Sequence, residues 1–274
     1  MNISYKSLFN LSGKTALVTG GAGILGKEFC RGLAEFGANI AVVDVNVENA
    51  SKLAESLSKE FHVKAVSFYC DVSDPKSVEC MTSQVEECFG AIHILHNNAA
   101  AKSKDLSKYF GAFTEYDFEE WKSMMSVNID GMFLVAQKIA QHMIKNSIHG
   151  SIIQTSSIYG LMGPDERIYE GSHYMGGPIN TPAVYSTSKA AVIGLSRHLA
   201  TTLAKHNIRS NTIIPGGTES GQNKEFQESY SRRIPLNRMA QKHEMVGALI
   251  YLASDASSYV TGQNFVIDGG LNAW

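Results

Sequence analysis

Short, continuous apolar runs alternate with longer segments of helical period along most of this chain. The runs fall at 15–19, 39–44, 64–70, 92–97, 151–155, 209–214 and 264–267, and most are rich in β-branched residues. Most lack the polar alternation of a half-exposed strand, so they predict strands covered on both faces. Between them, segments 24–36, 47–59, 75–89, 118–146, 182–206 and 244–254 predict helices. Ser73-Asp74-Pro75 marks the start of the third, with a capping residue before proline at the first helical position. This alternation predicts an α/β fold with a parallel sheet of about seven strands, right-handed crossovers and helices on both faces. Ligands of such sheets bind beyond the carboxyl ends of the strands, where the strand order reverses.

Two segments break the pattern. Residues 160–182 are rich in Gly, Pro, Tyr and Met without helical period, and 215–235 begin Pro-Gly-Gly and continue polar with scattered aromatics. Long irregular stretches in a compact domain are usually functional or disordered. Both follow expected strand ends, so the first reads as an active-site insert and the second as a substrate lid. Subunit packing is the alternative for the insert. No repeat, linker or boundary divides the chain, and 1–274 reads as a single domain.

The bulk numbers narrow the class. A chain of 274 residues with 44% hydrophobic content and a net charge of -2 is expected to fold, and has no basic surplus for nucleic acid or a membrane face. No apolar run approaches the roughly 18 residues of a membrane span. Residues 1–10 lack the charged-then-apolar order of a secretory signal. Cys30, Cys70, Cys80 and Cys88 show neither CxxC spacing nor a clustered histidine. They are expected to be reduced thiols of a cytoplasmic protein with no metal site.

Candidate chemistry starts at the first strand, which runs into Thr19-Gly-Gly-Ala-Gly-Ile-Leu-Gly26 and then a helix. Glycines there permit a tight turn and bring a pyrophosphate against helix N-terminal N–H groups. An acidic residue about 20 positions on completes a dinucleotide signature. That residue is Asp44, whose carboxylate suits a ribose diol and repels a 2′-phosphate. Val45 and Asn46 supply no arginine for such a phosphate, so NAD is expected over NADP. Asp71-Val72 ends the third strand, where a carboxylate suits an adenine amino group or simply a turn. In Asn97-Asn98-Ala99-Ala100, small residues let a cofactor lie close and asparagines tie strands together. Asn128 interrupts a helical segment, where its side chain competes for backbone hydrogen bonds and predicts a kink or a bound water. Tyr185 and Lys189 share one helical face. A fixed ammonium lowers a phenol from its ordinary pKa of about 10 toward values useful for acid/base work. With 11 tyrosines in the chain, such a pair gains meaning only in company. Ser157 upstream offers a hydroxyl to hold a substrate oxygen against the phenol.

With these pieces assembled, the chain resembles the short-chain dehydrogenase/reductase family over nearly its whole length. The matching pieces are the turn at 19–26, Asp71-Val72, Asn-Asn-Ala-Ala at 97–100, Asn128, Ser-Ile-Tyr-Gly at 157–160, Tyr185-xxx-Lys189, Pro215-Gly216 and Asp268-Gly-Gly. The resemblance implies a Rossmann-type, doubly wound sheet. It implies Tyr185 as general acid/base, Ser157 orienting the substrate oxygen, and Lys189 binding the nicotinamide ribose and lowering the phenol. It also implies that Asn128 holds a water in a proton relay. NAD contacts are implied from Gly20, Gly23, Ile24, Leu25 and Gly26, from Asp44 and Val45, and from Asp71 and Val72. Asn98, Ala99, Ala100, Tyr185, Lys189, Pro215, Gly216 and Thr218 complete the set. The family commonly forms tetramers through its long helices and last strand, so a homotetramer or homodimer is implied.

Three departures stand out. Ile24 occupies a position that is glycine in the common family turn, Ala100 replaces the last glycine of Asn-Asn-Ala-Gly, and Ser157 and Tyr185 are farther apart than the family usual. The extra residues form the insert. Its Asp165, Glu166, Arg167, Tyr169, His173 and Tyr174, with Glu219, Gln222, Asn223, Lys224, Arg232 and Arg233 of the lid, predict polar walls around a sugar, polyol or sugar acid. Pro-Asp-x-x-x-Tyr-Glu-Gly at 164–171 with Pro-Gly-Gly at 215–217 is similar to a bacterial subgroup linked to flagellin glycosylation and nonulosonic-acid sugar synthesis. The competing readings are a 3-oxoacyl-thioester reductase and a non-catalytic NAD-binding regulatory protein.

Overall fold

A computed structural model describes residues 4–101, 103–174 and 177–274. Met175 and Gly176 of the expected insert and the side chain of Tyr174 lie outside the described residues, as do residues 1–3 of the amino terminus. The strands are β1 (Thr15–Thr19), β2 (Asn39–Asp44), β3 (Ala65–Tyr69), β4 (Ile94–Asn97), β5 (Ser151–Thr155), β6 (His173–Tyr174), β7 (Gly177–Pro178), β8 (Arg209–Pro215) and β9 (Asn264–Ile267). Seven form one parallel sheet in the order β3-β2-β1-β4-β5-β8-β9, and β6 and β7 pair antiparallel within the insert. The helices are α1 (Ile24–Glu35), α2 (Val47–Phe61), α3 (Pro75–Phe89), α4 (Leu106–Tyr109), α5 (Phe118–Met125), α6 (Met132–Lys145), α7 (Ala183–Leu203), α8 (Lys224–Ser231) and α9 (Val246–Ala253).

Adjacent strand residues serve opposite layers, which is why the sequence runs are continuous rather than alternating. Ala16 and Val18 of β1 and Ile40 and Val42 of β2 pack with Phe29 and Leu33 of α1 and Leu249 of α9. Leu17, Ala41 and Val43 pack on the other side with Val78, Met81 and Val85 of α3 and Ile139 and Met143 of α6. The register sets Val18 beside Val42 on one flank and His96 on the other. Asp74 caps α3 by accepting the Lys76 N–H at 3.0 Å, with Pro75 in the first turn, as the sequence predicts.

Three expectations change. The expected helix over 118–146 is α5 and α6 joined by a π-helical turn, Ser126–Gly131. The expected lid at 215–235 contains α8, which Asn223 caps by accepting the Phe226 N–H at 3.4 Å. Its polar sequence concealed an apolar face one turn long, Phe226 and Tyr230, both buried. Those rings join Ile158, Ile168, Ile234, Met239 and Leu271 in a third apolar cluster that binds the insert to the lid segment. Finally, α4 occupies a stretch too short to show periodicity. No helix of the described residues is long and apolar enough to cross a membrane.

Candidate active site

Strand order reverses between β1 and β4, so the turns leaving these two strands face one crevice. Gly20 sits at φ +61°, and a Cβ on it would lie 2.9 Å from the Ala99 Cα. A Cβ on Gly26 would lie 2.1 Å from the Gly20 carbonyl oxygen, so the turn closes on α1 only without side chains. Gly23 stands at the N-cap of α1 and supplies no side-chain cap. The first N–H groups of α1 therefore have no side-chain acceptor there, the arrangement that suits an anion at a helix start. Ile24 is exposed, so its side chain leaves the turn free.

The asparagine pair does tie strands together. The Thr19 hydroxyl donates to Asn97 Oδ1 at 3.1 Å and accepts the N–H groups of Asn98 and Ala99 at 2.9 and 3.1 Å. Asn98 Nδ2 donates to the Thr19 carbonyl at 3.3 Å. Asp44 is half-buried and bridges two backbones: it accepts the Ala22 N–H of the glycine turn and the Asn46 N–H, each at 2.9 Å. Val45 beside it is exposed. Asp71 accepts the N–H and hydroxyl of Ser73, a local turn. Val72 is buried under the π turn, where a Cβ on Gly131 would meet it at 2.6 Å.

Ser157 follows β5 and is buried, its Oγ accepting the Tyr159 N–H at 3.3 Å. Tyr185 and Lys189 lie on one face of α7, the Lys189 Nζ 5.9 Å from the centre of the Tyr185 ring. Lys189 is buried and donates to the Thr155 carbonyl at 3.1 Å. Burial pulls this ammonium down to about 8. The Tyr185 phenol is displaced by burial rather than lowered by the lysine. Burial pushes Tyr185 up, and a hydrogen bond with Ser157 opposes that rise in part. Asn128 lies in the π turn, as the sequence suggests for an interrupted helix. Its Oδ1 accepts the Ala101 N–H at 2.8 Å and its Nδ2 donates to Ser188 Oγ at 3.2 Å. Ser188 in turn donates to the Tyr185 carbonyl at 3.0 Å, linking Asn128 to the turn of α7 that carries the phenol.

A cavity of about 470 Å³ opens over these groups. Of the expected residues, Leu25, Asn98, Ala100, Ser157, Tyr185, Lys189, Pro215, Gly216 and Thr218 line it. Gly20, Gly23, Ile24, Gly26, Asp44, Val45, Asp71, Val72, Ala99 and Asn128 do not; Asp44 bonds the glycine turn, and Asn128 bonds Ser188 of α7. The polar walls differ from expectation. Asp165 pairs with Arg167 at 2.8 Å and Arg233 at 3.4 Å, and Lys224 with Glu228 at 3.5 Å. These charges pair with one another and do not line the cavity, and Arg233 Nη1 is buried without a partner among the described residues. Among those of the named polar residues whose side chains are described, only Gln222 lines the cavity. Its wall also includes Tyr109, Phe110, Tyr159, Asn180, Thr181, Phe226, Tyr230 and Met239. Phe226 and Tyr230 are an i,i+4 apolar pair behind a capping asparagine, a signal that could have marked this face; Tyr109 and Phe110 carry no such signal. Tyr169 of the insert stacks on Phe226 at 5.6 Å, and Phe226 on Tyr230 at 5.6 Å.

No group of three or more metal-ligating side chains occurs among the described residues. The glycine turn with its open helix start, the small residues at Ala99 and Ala100, and the buried Lys189 fit a dinucleotide cofactor.

Residues 20–272 match a family model described as Enoyl-(Acyl carrier protein) reductase. The chain is 35% identical over 297 aligned positions to D-arabinitol 2-dehydrogenase (ribulose-forming) of Scheffersomyces stipitis, with all of both chains covered. Its fold matches a gluconate 5-dehydrogenase from Burkholderia cenocepacia in complex with NADP and tartrate, at TM-score 0.86, 33% identity and 98% coverage of each chain. It also matches an NAD+-bound xylitol dehydrogenase at TM-score 0.82 and 31% identity, covering 95% of this chain and 99% of that one. These relatives include an NADP-bound and an NAD-bound enzyme. Glycine turn, serine, tyrosine and lysine around one cavity, and relatives matched end to end, make the chain an oxidoreductase belonging to the short-chain dehydrogenase/reductase family.

Proposed function

We propose that this protein is a cytoplasmic, NAD-dependent dehydrogenase that interconverts a secondary alcohol and a ketone on a polyol, sugar or sugar acid. The observation that carries the reading is the convergence of Ser157, Tyr185 and Lys189 on a cavity flanked by the glycine turn. The names of the relatives support the substrate class, and Asp44 supports NAD. Bound NAD supplies the hydride acceptor. Ser157 Oγ and Tyr185 Oη hold the substrate oxygen. In oxidation the carbinol carbon gives up a hydride, its hydroxyl proton passes to the Tyr185 phenolate, and a C=O bond forms; reduction reverses each transfer. Lys189 binds the ribose, and a positive charge there works against the rise that burial gives the Tyr185 phenol. Asn128, through Ser188, holds the first turns of α7 in place and belongs to the proton relay. The insert and lid segment, joined by their aromatic stack, cover the substrate.

Tyr185→Phe is expected to keep NAD binding by fluorescence titration while turnover falls by about 10²–10⁴. Near-wild-type turnover on any accepted substrate would sink the assignment. Asp44→Ala is expected to lower the NAD to NADP ratio of kcat/KM by about 10-fold or more, since it removes the group that repels a 2′-phosphate. An unchanged ratio would take cofactor choice away from Asp44.

Lys189 also predicts a pH dependence of stability. Its folded pKa is depressed to about 8, whereas in an unfolded chain a lysine keeps about 10.4. Between these values the unfolded chain holds a proton that the folded protein has released, so stability rises with pH. The burial cost is present in full below pH 8. Wild type is therefore expected to gain about 2 kcal/mol over Lys189→Met between pH 7.5 and 9.5 in urea denaturation. No relative gain would show that Lys189 stays charged when folded.

The assembly we propose is a homotetramer or homodimer through α5, α6, α7 and β9. Phe118, Phe133 and Ile144 are exposed large apolar groups on the first two of these. A monomer in multi-angle light scattering would overturn it.

A further inference from the structure

We propose a second ligand site, for the phosphate group of a small phosphate ester, at the edge of the sheet opposite the active site. The seven strands are parallel, so their amino-terminal ends share that edge. A cavity of about 670 Å³ opens there, and none of its lining residues lines the cavity over Tyr185. Its polar wall is drawn from separate elements. Lys14 immediately precedes β1, His93 immediately precedes β4, Arg209 begins β8, and Asp255 and Ser258 follow α9. His93 Nδ1 accepts the Thr15 N–H at 3.0 Å, so the neutral ring carries its hydrogen on Nε2 and offers it as a donor. Burial and the nearby Lys14 hold this imidazole below its ordinary pKa, which keeps that tautomer at neutral pH. Arg209 is half-buried and donates to the carbonyls of Leu252 at 2.9 Å, Ser254 at 3.3 Å and Val260 at 3.4 Å. Those bonds leave part of the guanidinium fork free.

The charges in this wall do not cancel. It carries two fixed cations, Lys14 and Arg209, against one carboxylate, Asp255. That carboxylate bonds the Lys14 ammonium at 2.7 Å and is 69% exposed. Arg209 forms no ion pair among the described residues and has only carbonyl oxygens as partners. A guanidinium held partly out of water without a counter-ion is costly, and an anion in the cavity offsets that cost. Arginine favours oxyanions that can take more than one of its N–H groups. A phosphate can take such bonds from Arg209 and still offer oxygens to Lys14, the His93 Nε2–H and the Ser258 hydroxyl. A planar carboxylate has one oxygen fewer for donors that arrive from several directions. The cavity is of a size that holds a whole small molecule rather than a bare ion. An ester therefore suits it, with the phosphate on the cations and the organic part in the remaining space.

The test titrates the full chain, saturated with NAD so that its pyrophosphate site is filled, with inorganic phosphate, glycerol phosphate and acetate at constant ionic strength. Calorimetry is expected to show saturable binding of both phosphates, with a matching rise in Tm, and acetate should bind about 10-fold more weakly or not at all. Lys14→Ala should weaken glycerol phosphate by about 5-fold or more, since it removes one of the two cations. Asp255→Asn should tighten it by about 3-fold or more, because it frees Lys14 from a competing carboxylate. Exposed ion pairs contribute little to stability, so both variants are expected to fold. Opposite effects from the two partners of one ion pair mark a ligand site, whereas a purely structural pair would shift both variants the same way. The affinity for NAD should stay within about 2-fold of wild type in each. A wild type that binds neither phosphate up to about 10 mM, or takes acetate as well as phosphate, would overturn the inference. So would an affinity for glycerol phosphate that is unchanged in both variants.

Discussion

The reversal of strand order between β1 and β4 sets the geometry of the site. Were β4 to add beside β3, the glycine turn after β1 and the Asn-Asn-Ala-Ala turn after β4 would lie strands apart. Adjacent, they come close enough that Gly20 has room for no Cβ against Ala99, and Thr19 bonds across to Asn97, Asn98 and Ala99. The next strand outward, β5, ends in Thr155, whose carbonyl takes the Lys189 ammonium. Ser157 follows two residues later. The glycine turn and the Ser157 and Lys189 side chains are thus placed by neighbouring strands of one sheet.

Above this frame sits a cap with a different logic. Its charged groups pair at the surface and its aromatic groups stack inward. Tyr169, Phe226 and Tyr230 join two segments that are far apart in sequence into one apolar body. Polarity inside the cavity comes instead from hydroxyls and the amides of Asn98, Asn180 and Gln222, with Lys189 as the charged residue of the lining. This division follows from desolvation. Unpaired charges over an enclosed cavity carry a large cost, whereas neutral hydrogen-bonding groups carry a small one that a ligand offsets.

Most of the frame was legible because its signals are local or periodic. Runs covered on both faces marked all seven strands of the sheet, and Asp74-Pro75 marked a helix start. Asn128 marked the place where the helical period fails, and the π turn stands there. What escaped depends on tertiary company. Nothing in the spacing of Asp165 and Arg233 says that they pair with each other rather than line a pocket. α4 is a single turn, and α8 shows its apolar face only at Phe226 and Tyr230. The rise of the Tyr185 pKa escaped for the same reason. The sequence places a cation four residues away, but how deeply both groups are buried is decided by the packing of α7.

The carboxylate of Asp44 holds two backbone N–H groups, one in the glycine turn and one after β2. If the same carboxylate also selects the cofactor, nucleotide preference and the shape of the turn are inherited together. A lineage of this protein changing its redox currency could not do so by one neutral step, because the residue surrendered is also a strut. The replacement would need a second polar group to hold Ala22, or a turn that no longer needs holding. Such coupling makes cofactor choice slow to drift even where selection on it is weak.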